Sequence, residues 1–276
     1  TTEIYTLSLH DALPIYALAV GGTPDTVAAL TLDAILDAHR AAFSRDLVYF
    51  GAAGDITAEE FGALMDRVLA DLPTMQRALP DYRTFAAEPG VTVVDFDGPQ
   101  ASVQFGHAGI RWDDPDFMAA FVLNEIFGGG GFGSRLMREL RETRGLTYGV
   151  YTGLNSGRFG DSFGGRFSTA NASVGEAIAL VREQFEWLAN GGITQEDLER
   201  IQTYLTGAYP LRFDGNEAIA GILASMQFNG FPLNYINVRN DLVRAVTLAD
   251  IHRVAQRLAQ PEALRFVVVG RPEGLE

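Results

Sequence analysis

The sequence contains no cysteine among its 276 residues. This absence excludes a disulfide framework, a cysteinyl zinc site and a thiol nucleophile, and it leaves the redox compartment undetermined. Long apolar runs are also missing, since no stretch reaches the ~18 residues that a membrane span needs. Hydrophobic residues nevertheless make up 47% of the chain, which is enough to build a core. The composition therefore predicts a globular chain without a membrane span.

Positive charge is scarce. The chain carries 21 basic and 35 acidic residues, for a net charge of −14 and an isoelectric point near 4.7. A nucleic acid or an anionic membrane would require a broad basic surface to displace its counterions. The charge balance therefore argues against a nucleic-acid partner and favours a cationic one, such as a basic peptide.

The first fifteen residues, TTEIYTLSLHDALPI, resemble one reading frame of a widely used short-read sequencing adapter. We therefore expect residues 1–15 to be an artefact fused to the coding sequence, so that His10 is not a site residue. The natural amino terminus, with any signal peptide, would then be missing. The alternative is an ordinary amphipathic lead-in.

Two distant segments, residues 27–54 and 243–270, align without a gap. Each has a threonine N-cap, a helix with apolar periodicity, a short loop and an apolar strand that ends in glycine. The pattern predicts a duplicated unit, of which this chain holds the tail of a first copy, without its head, and the whole of a second. The predicted boundaries are 16–72 for the tail, 73–90 for a proline-rich linker and 91–276 for the second domain. Seven residues of the first segment are identical to their aligned residues in the second segment: Val27, Ala29, Thr31, Leu32, Ile35, Phe50 and Gly54.

The second copy has its strands early and most of its helices late. This order predicts an α+β fold, a largely antiparallel sheet with helices packed on one face. Capping pairs are expected at Ser173 with Glu176 and at Thr194 with Asp197, and in the tail of the first copy Thr57 with Glu60 is expected to open its last helix. The remaining expected elements are strands near 91–96, 101–110, 146–154 and 162–170, helices over 116–127 and 134–144, and a closing strand at FVVVG.

Five glycines crowd the loop between the two predicted helices: Gly128, Gly129, Gly130, Gly131 and Gly133. Three of them match GxGxxG, but that fingerprint requires a preceding strand, and residues 118–127 have helical periodicity. A Walker-type phosphate loop fails as well, because Ser-Arg follows where Lys-Ser or Lys-Thr is required. A simple turn between helices needs only one or two glycines. The surplus indicates that another backbone approaches closely or that the loop moves.

Arginines recur every third residue after the loop, which predicts a basic stripe that winds slowly around a helix. We expect Arg135, Arg138 and Arg144 to be solvated or ion-paired surface residues. Arg141 differs, because the helix ends just after it and the strand LTYGV would bring Tyr148 beside its last turn. A guanidinium and a phenol are donors that can grip a peptide carbonyl or carboxylate and stabilise an oxyanion.

The segment LRETRGLTYGV resembles the carboxy-terminal-half motif of the insulinase/pitrilysin family of zinc peptidases, the inverzincins. The glycine-rich loop, SRL, GTPDTVAALTLDAILDAHRAAF and GDIT also resemble family features, so the resemblance covers residue 16 to the end. It implies one half of a two-domain clamshell, preceded by the tail of a homologous domain, with an HxxEH zinc helix in the first half. It also implies that Arg141 and Tyr148 contact the substrate and the tetrahedral intermediate, and that Gly128–Gly133 handle the substrate.

The sequence departs from the family pattern in having no HxxEH. His39, His107 and His252 are isolated, and we expect them to be surface or core residues. The segment MAAFVLNEIFGG occupies the place of the metal helix but offers only Asn124 and Glu125 as polar groups. No metal site is therefore predicted here, and the resemblance implies zinc in a missing first half or in a partner subunit.

The leading hypothesis is a carboxy-terminal substrate-binding domain, or a separate Arg/Tyr subunit, of an insulinase-like zinc metalloendopeptidase that hydrolyses unfolded peptides. The chain alone should be inactive. An alternative is a catalytically inactive scaffold or assembly subunit related to respiratory-complex core proteins, and a third is a peptide-binding module. The retained arginine and tyrosine favour the first hypothesis. Resemblance to exported bacterial relatives leads us to expect a periplasmic location.

Overall fold

A computed structural model of the protein describes residues 21–74 and 78–275. The chain forms two compact units. The sheet unit contains residues 82–205 and 241–275, and the helical unit contains residues 22–74, 78–81 and 206–240. Residues 206–240, which the sequence assigned to the second domain, thus group with the predicted tail of the first copy. The segment 1–15, with its expected adapter origin, lies outside the described residues.

Short loops join the helices and strands. The α-helices of the described residues are α1 (Pro24–Ala28), α2 (Leu32–Ala42), α3 (Ala58–Val68), α4 (Phe117–Asn124), α5 (Val174–Ala189), α6 (Gln195–Ala208), α7 (Asn216–Phe228), α8 (Tyr235–Ala245) and α9 (Leu248–Leu258). The strands are β1 (Gly90–Asp95), β2 (Gln100–His107), β3 (Val150–Ser156), β4 (Asp161–Ala170) and β5 (Arg265–Gly270). Two π-helices follow α4, at Glu125–Gly129 and Met137–Thr143.

The sheet unit is built on a five-stranded sheet in the order β1-β5-β2-β4-β3. Only β1 and β5 run parallel, and the other three neighbouring pairs are antiparallel. The predicted largely antiparallel sheet is therefore confirmed. Strand β5 is second in the sheet, where it pairs with β1 on one side and β2 on the other.

One face of the sheet is buried under helices. Along β2, the alternate residues Ala101, Val103 and Phe105 are at most 5% exposed. The Phe105 ring packs on Phe185 of α5 with 6.2 Å between ring centroids. Phe185 also contacts Phe127, at 5.0 Å, so the helical layer closes over the sheet. The predicted packing of helices on one face is confirmed, and the alternation leaves the opposite face polar.

The internal repeat is visible in the helices. Helices α2 and α9 are each 11 residues long, occupy aligned positions, and begin after the threonine caps Thr31 and Thr247. The predicted strand of the first copy, however, is wrong: residues 49–54 form no strand. Helix α7 packs against them, since the Gln227 side chain donates to the Phe50 carbonyl and a Cβ atom at Gly51 would lie 2.0 Å from the Ala220 carbonyl oxygen. Burial differs too, since Ile251 of α9 is 0% exposed and its counterpart Ile35 is 51% exposed.

Two of the three predicted capping pairs form. Thr57 and Glu60 make a capping box at the start of α3, and Thr194 exchanges hydrogen bonds with Asp197 before α6. The pair at Ser173 is wrong, because that side chain makes no capping bond. Ser173 has ψ near 0°, at the end of a 3₁₀ turn, and not the extended backbone that an N-cap requires.

His107 lies in the core at the end of β2, where it is 1% exposed. Its ring packs against Phe163 and Phe185, with 5.6 and 5.7 Å between centroids. Nδ1 lies 2.7 Å from the Ala108 carbonyl oxygen, and Nε2 has no partner among the described residues. Burial lowers the pKa of His107, against smaller upward effects of the Ala108 carbonyl and the Glu262 carboxylate. The folded protein therefore favours the neutral ring.

This burial predicts that acid destabilises the protein through His107. An unfolded histidine has a pKa near 6.5, so below that pH the unfolded state binds more protons than the folded state. The free energy of unfolding should therefore decrease as the pH is lowered, and this group should contribute at most about 1.4 kcal/mol per pH unit to that decrease. Urea unfolding between about pH 7.5 and 5.5 should show a shallower slope for His107→Leu.

The matched control is His39→Leu, because His39 lies on the exposed surface of α2. This variant should keep the wild-type slope. An identical pH slope in the wild type and His107→Leu would contradict the prediction.

Candidate functional site

The glycine loop is packed tightly against its neighbours. Helix α4 ends at Asn124, earlier than the predicted Phe127, because the chain widens there into the first π-helix. A Cβ atom added at Gly128 would lie 2.3 Å from Oγ1 of Thr152 on β3. At Gly130 it would lie 2.4 Å from the Glu125 carbonyl oxygen. That carbonyl belongs to the same π-helix and accepts the Gly130 N–H at 3.0 Å, so the predicted approach of another backbone stays a prediction.

The other loop glycines have different reasons. A Cβ atom at Gly129 would lie 2.4 Å from the side-chain amide nitrogen of Asn124, and Gly131 has a φ of +63°, which favours glycine. At Gly133 the nearest atom would be the guanidinium of Arg200 at 3.5 Å, an ordinary contact. Packing and backbone conformation thus account for Gly128–Gly131. The expected role of these glycines with substrate stays a prediction.

Buried hydrogen bonds hold the loop at both ends. The Thr152 hydroxyl donates to Oδ1 of Asn124 at 2.8 Å, and these residues are 7% and 5% exposed. At the far end, the Ser134 hydroxyl donates to the Gly131 carbonyl at 2.8 Å. Asn124 stands where the family's metal helix would present its ligands, and here its oxygen is engaged with Thr152.

The second predicted helix, Ser134–Arg144, is mostly a π-helix, over Met137–Thr143. Because π-helices bond from residue i to i+5, residues three apart wind around the helix faster than the predicted slow stripe. The prediction of paired surface residues is confirmed for Arg138 and Arg144, whereas Arg135 is paired but only 21% exposed, with its guanidinium 4.3 Å from the Trp187 ring centroid. Arg135 and Arg138 lie 3.2 and 3.8 Å from Glu139, and Arg144 lies 3.6 Å from Glu176.

Arg141 lies between two aromatic rings. Its guanidinium carbon is 4.5 Å from the centroid of Phe132, in the glycine loop, and 5.1 Å from that of Tyr148. Both distances fall in the cation–π range. The rings are 61% and 86% exposed, and no carboxylate of the described residues pairs with Arg141. The structure thus brings the two predicted catalytic residues together and leaves guanidinium donors for a ligand.

Tyr148 lies in the loop before β3, which begins at Val150, so the prediction that a strand carries Tyr148 is wrong by two residues. Side-chain hydrogen bonds to the backbone shape this loop. The Thr147 hydroxyl donates to the Ser168 carbonyl at 2.7 Å, and the Thr169 hydroxyl donates to the Leu146 carbonyl at 2.5 Å. The backbone before Tyr148 is therefore tied to β4, while the phenol projects into solvent.

The histidines are dispersed. His39 is exposed, His107 is in the core, and Nε2 of His252 lies 2.9 Å from the Ile193 carbonyl oxygen. Within residues 21–74 and 78–275, no three His, Cys, Asp or Glu side chains are grouped to hold a metal ion. With Asn124 bonded to Thr152, the residues at the metal-helix position do not fit a zinc site. Over the same residues, no helix is long and apolar enough to cross a membrane.

Sequence reasoning missed Phe132 and the Asn124–Thr152 bond. The sequence did contain a sign that Phe132 matters, because it is the one bulky side chain in the otherwise small-residue segment GGGGFGS. The Asn124–Thr152 hydrogen bond left no sign in the sequence, because the two residues are far apart in the chain and meet only when α4 packs on β3. The arginine and tyrosine were found because their motif is local.

A family model described as "Peptidase M16 inactive domain" matches residues 29–205. The chain is 25% identical over 256 residues to "Non-peptidase homolog YmxG" of Helicobacter pylori, covering 92% of this chain and 59% of the relative. It is 29% identical over 248 residues to an "uncharacterized zinc protease" of Streptomyces coelicolor, covering 85% of this chain and 52% of the relative. The chain thus spans little more than half the length of these relatives.

Solved structures share the fold. A peptidase M16 inactive domain from Pseudomonas fluorescens superposes with a TM-score of 0.79 at 26% identity, covering 95% of this chain and 62% of that one. A chain of complex III2 from Candida albicans superposes with a TM-score of 0.74 at 14% identity, covering 99% and 67%, which shows the fold alone.

The packing of the loop predicts that its glycines differ in tolerance. Gly130→Ala should lower the free energy of unfolding by about 1–3 kcal/mol, because the added methyl group meets a backbone carbonyl that cannot rotate away. Gly133→Ala, the matched control, should change it by less than about 0.5 kcal/mol. Urea unfolding of both variants is the measurement, and equal stability losses would show that the loop is not held by close packing.

Proposed function

This chain belongs to the peptidase M16 inactive-domain family, and we propose that it is the substrate-binding half of a zinc metalloendopeptidase that lacks the metal itself. It would serve as the carboxy-terminal domain of a longer polypeptide or as a separate Arg/Tyr subunit. One observation carries the proposal: Arg141 lies between Phe132 and Tyr148 without an acidic partner in the described part of the chain. A structural arginine would be expected to pair, as Arg135 and Arg144 do.

The two side chains suit the stabilisation of a peptide carbonyl. When a nucleophile adds to the carbonyl carbon, negative charge develops on its oxygen, and preorganised donors lower the barrier. Arg141 offers a planar fork of N–H donors, and Tyr148 offers a hydroxyl. Stacking between two rings fixes the plane of the guanidinium before substrate arrives, so less freedom is lost on binding.

The zinc would be held by a homologous half, in the same polypeptide or in a partner subunit. The exposed apolar side of the helical unit supports a covering domain. In α2, Leu32 and Ile35 are 70% and 51% exposed, while the aligned helix α9 buries Ile251 and Leu258 against its own unit. We infer that a homologous sheet covers α2 in the complete protein.

The glycine loop would contribute a surface for the peptide. Its base is fixed by the packing of Gly128 on Thr152, whereas Phe132 at its tip is 61% exposed. A rigid backbone with an exposed ring can contact an extended peptide without an ordering cost. Substrate handling by Gly128–Gly133 is part of the proposal.

A catalytically inactive scaffold or assembly subunit is the second candidate. The Helicobacter pylori relative is called a non-peptidase homolog, which favours this candidate, as does the fold shared with a chain of complex III2. A scaffold would have no use for the unpaired Arg141 beside an exposed tyrosine. Mutation of these residues therefore separates the two candidates.

In the complete protein, with its zinc-bearing half, Arg141→Ala should lower kcat for an unfolded peptide by about a hundredfold or more, the usual cost of losing one oxyanion donor. Tyr148→Phe should also lower kcat, because it removes the hydroxyl and keeps the ring. Zinc content should be unchanged in both variants, since neither residue is a metal ligand. Peptide turnover and metal analysis of the same samples are the measurements.

Arg138→Ala is the matched control, because Arg138 lies on the same π-helix and forms an ion pair with Glu139, at 3.8 Å. It should keep nearly full activity. Full activity in both Arg141→Ala and Tyr148→Phe would overturn the proposal, and a complete protein with neither zinc nor turnover would establish the scaffold.

A further inference from the structure

The face of the sheet opposite the helices carries a cavity of about 460 Å³. Alternation along the strands places its polar residues on this face, away from the buried phenylalanines. The cavity lies within the sheet unit, and its walls come from β2, β3, β4 and β5. Its polar lining consists of Gln104, Tyr151, Thr152, Asn155, Ser162, Arg166 and Arg265, and Phe85 and Val267 line it beside them.

The register of the strands explains why there is a cavity. Gly106, Gly164 and Gly153 are side by side on three adjacent strands, which leaves a floor without side chains. Arg166 and Tyr151 are cross-strand neighbours on one side of this floor. Arg265 is the cross-strand neighbour of Gly106 and closes one end. The result is a trough whose floor is glycine backbone and whose walls include the side chains of two arginines and a tyrosine.

The charge of the cavity is opposite to that of the protein. Two arginines line it and no aspartate or glutamate does, although the chain carries a net charge of −14. Arg166 is exposed and has no ion pair among the described residues. The neighbouring carboxylate of Asp161 does not line the cavity, and it accepts a hydrogen bond of 2.5 Å from the Tyr82 hydroxyl. A carboxylate ligand would therefore meet, at Arg166, a guanidinium that has no acidic partner in the described part of the chain.

We propose that this cavity binds a carboxylate-bearing segment of the peptide substrate, with Arg166 as the principal contact and Arg265 and Tyr151 beside it. A guanidinium binds a carboxylate through paired N–H donors, which are stronger than neutral hydrogen bonds. The glycine floor lets an extended peptide backbone approach the sheet closely. The inference rests on the proposed function, because it takes the ligand to be the peptide that Arg141 and Tyr148 hold.

The position of the cavity agrees with one peptide occupying both sites. Tyr151 in its wall is three residues from Tyr148, so at most about 11 Å of chain separates their Cα atoms. An extended peptide covers that distance in roughly three residues. The enzyme would thus prefer an acidic residue a few positions from the cleaved bond, although its overall charge favours basic peptides.

The test is an NMR titration of the ¹⁵N-labelled chain with short Ala/Ser peptides that are blocked at both ends. One peptide carries a single Asp, the second carries Asn at that position, and the third carries Asn with a free carboxyl terminus. The amide signals of Gly106, Gly153 and Gly164 should shift with the Asp peptide, with a Kd at least roughly fivefold lower than for the blocked Asn peptide. Salt should weaken this binding.

Two variants alter the cavity in different ways. Arg166→Gln should abolish the preference for Asp over Asn, while Arg67→Gln, on exposed α3, makes the same charge change and should not. Gly153→Leu should fill the trough, because a Cβ atom there meets no other atom within 4 Å. Gly62→Leu, also with open space, is its control. Urea unfolding confirms that each variant folds.

Preference for either carboxylate-bearing peptide supports the proposal, and the third peptide shows whether a side chain or a terminus is preferred. Equal affinities for all three peptides, or an unchanged preference for the carboxylate-bearing peptides in Arg166→Gln, would overturn it. Because the titration needs neither zinc nor turnover, such a failure would leave the proposed roles of Arg141 and Tyr148 standing.

Discussion

The contact between Gly128 and Thr152 is the constraint on which the site depends. A glycine is required there because any Cβ atom would lie 2.3 Å from the threonine oxygen, and that oxygen is itself bonded to Asn124. At this contact α4 has ended, the chain is π-helical over Glu125–Gly129, and the loop lies against β3. The loop then presents Phe132, which holds one face of Arg141. A buried polar contact thus determines the position of an exposed cation.

The arginines of the chain fall into two groups, those in ion pairs with carboxylates and those without. All 21 basic residues are arginines, and several serve as ordinary ion-pair partners on the surface, as Arg257 does with Asp114 at 2.7 Å. Arg141 and Arg166 differ, because one is stacked between rings and the other lines a cavity without carboxylates. In a protein of net charge −14, these local exceptions are where an anionic or carbonyl ligand is best stabilised.

Local signals were enough to predict much of the fold. Alternation and caps identified β2, β4 and α3, and the arginine–tyrosine spacing found a pair that the structure brings within 5.1 Å. The two π-helices could not be predicted, because their widening comes from packing against β3 and not from residue preference. The pairing of Arg166 with Tyr151 across β3 and β4 also needs the register of the sheet. The missing strand at residues 49–54 shows the same limit, since a strand exists only beside a partner.

The most direct test of the central claim is a structure of the complete protein, with its zinc-bearing half and an uncleaved peptide bound. The account predicts that an Arg141 nitrogen and the Tyr148 hydroxyl lie about 2.7–3.1 Å from the oxygen of the peptide carbonyl nearest the metal. A bound peptide whose carbonyl is beyond hydrogen-bonding distance of both side chains would contradict it, as would a complete protein that contains no metal site.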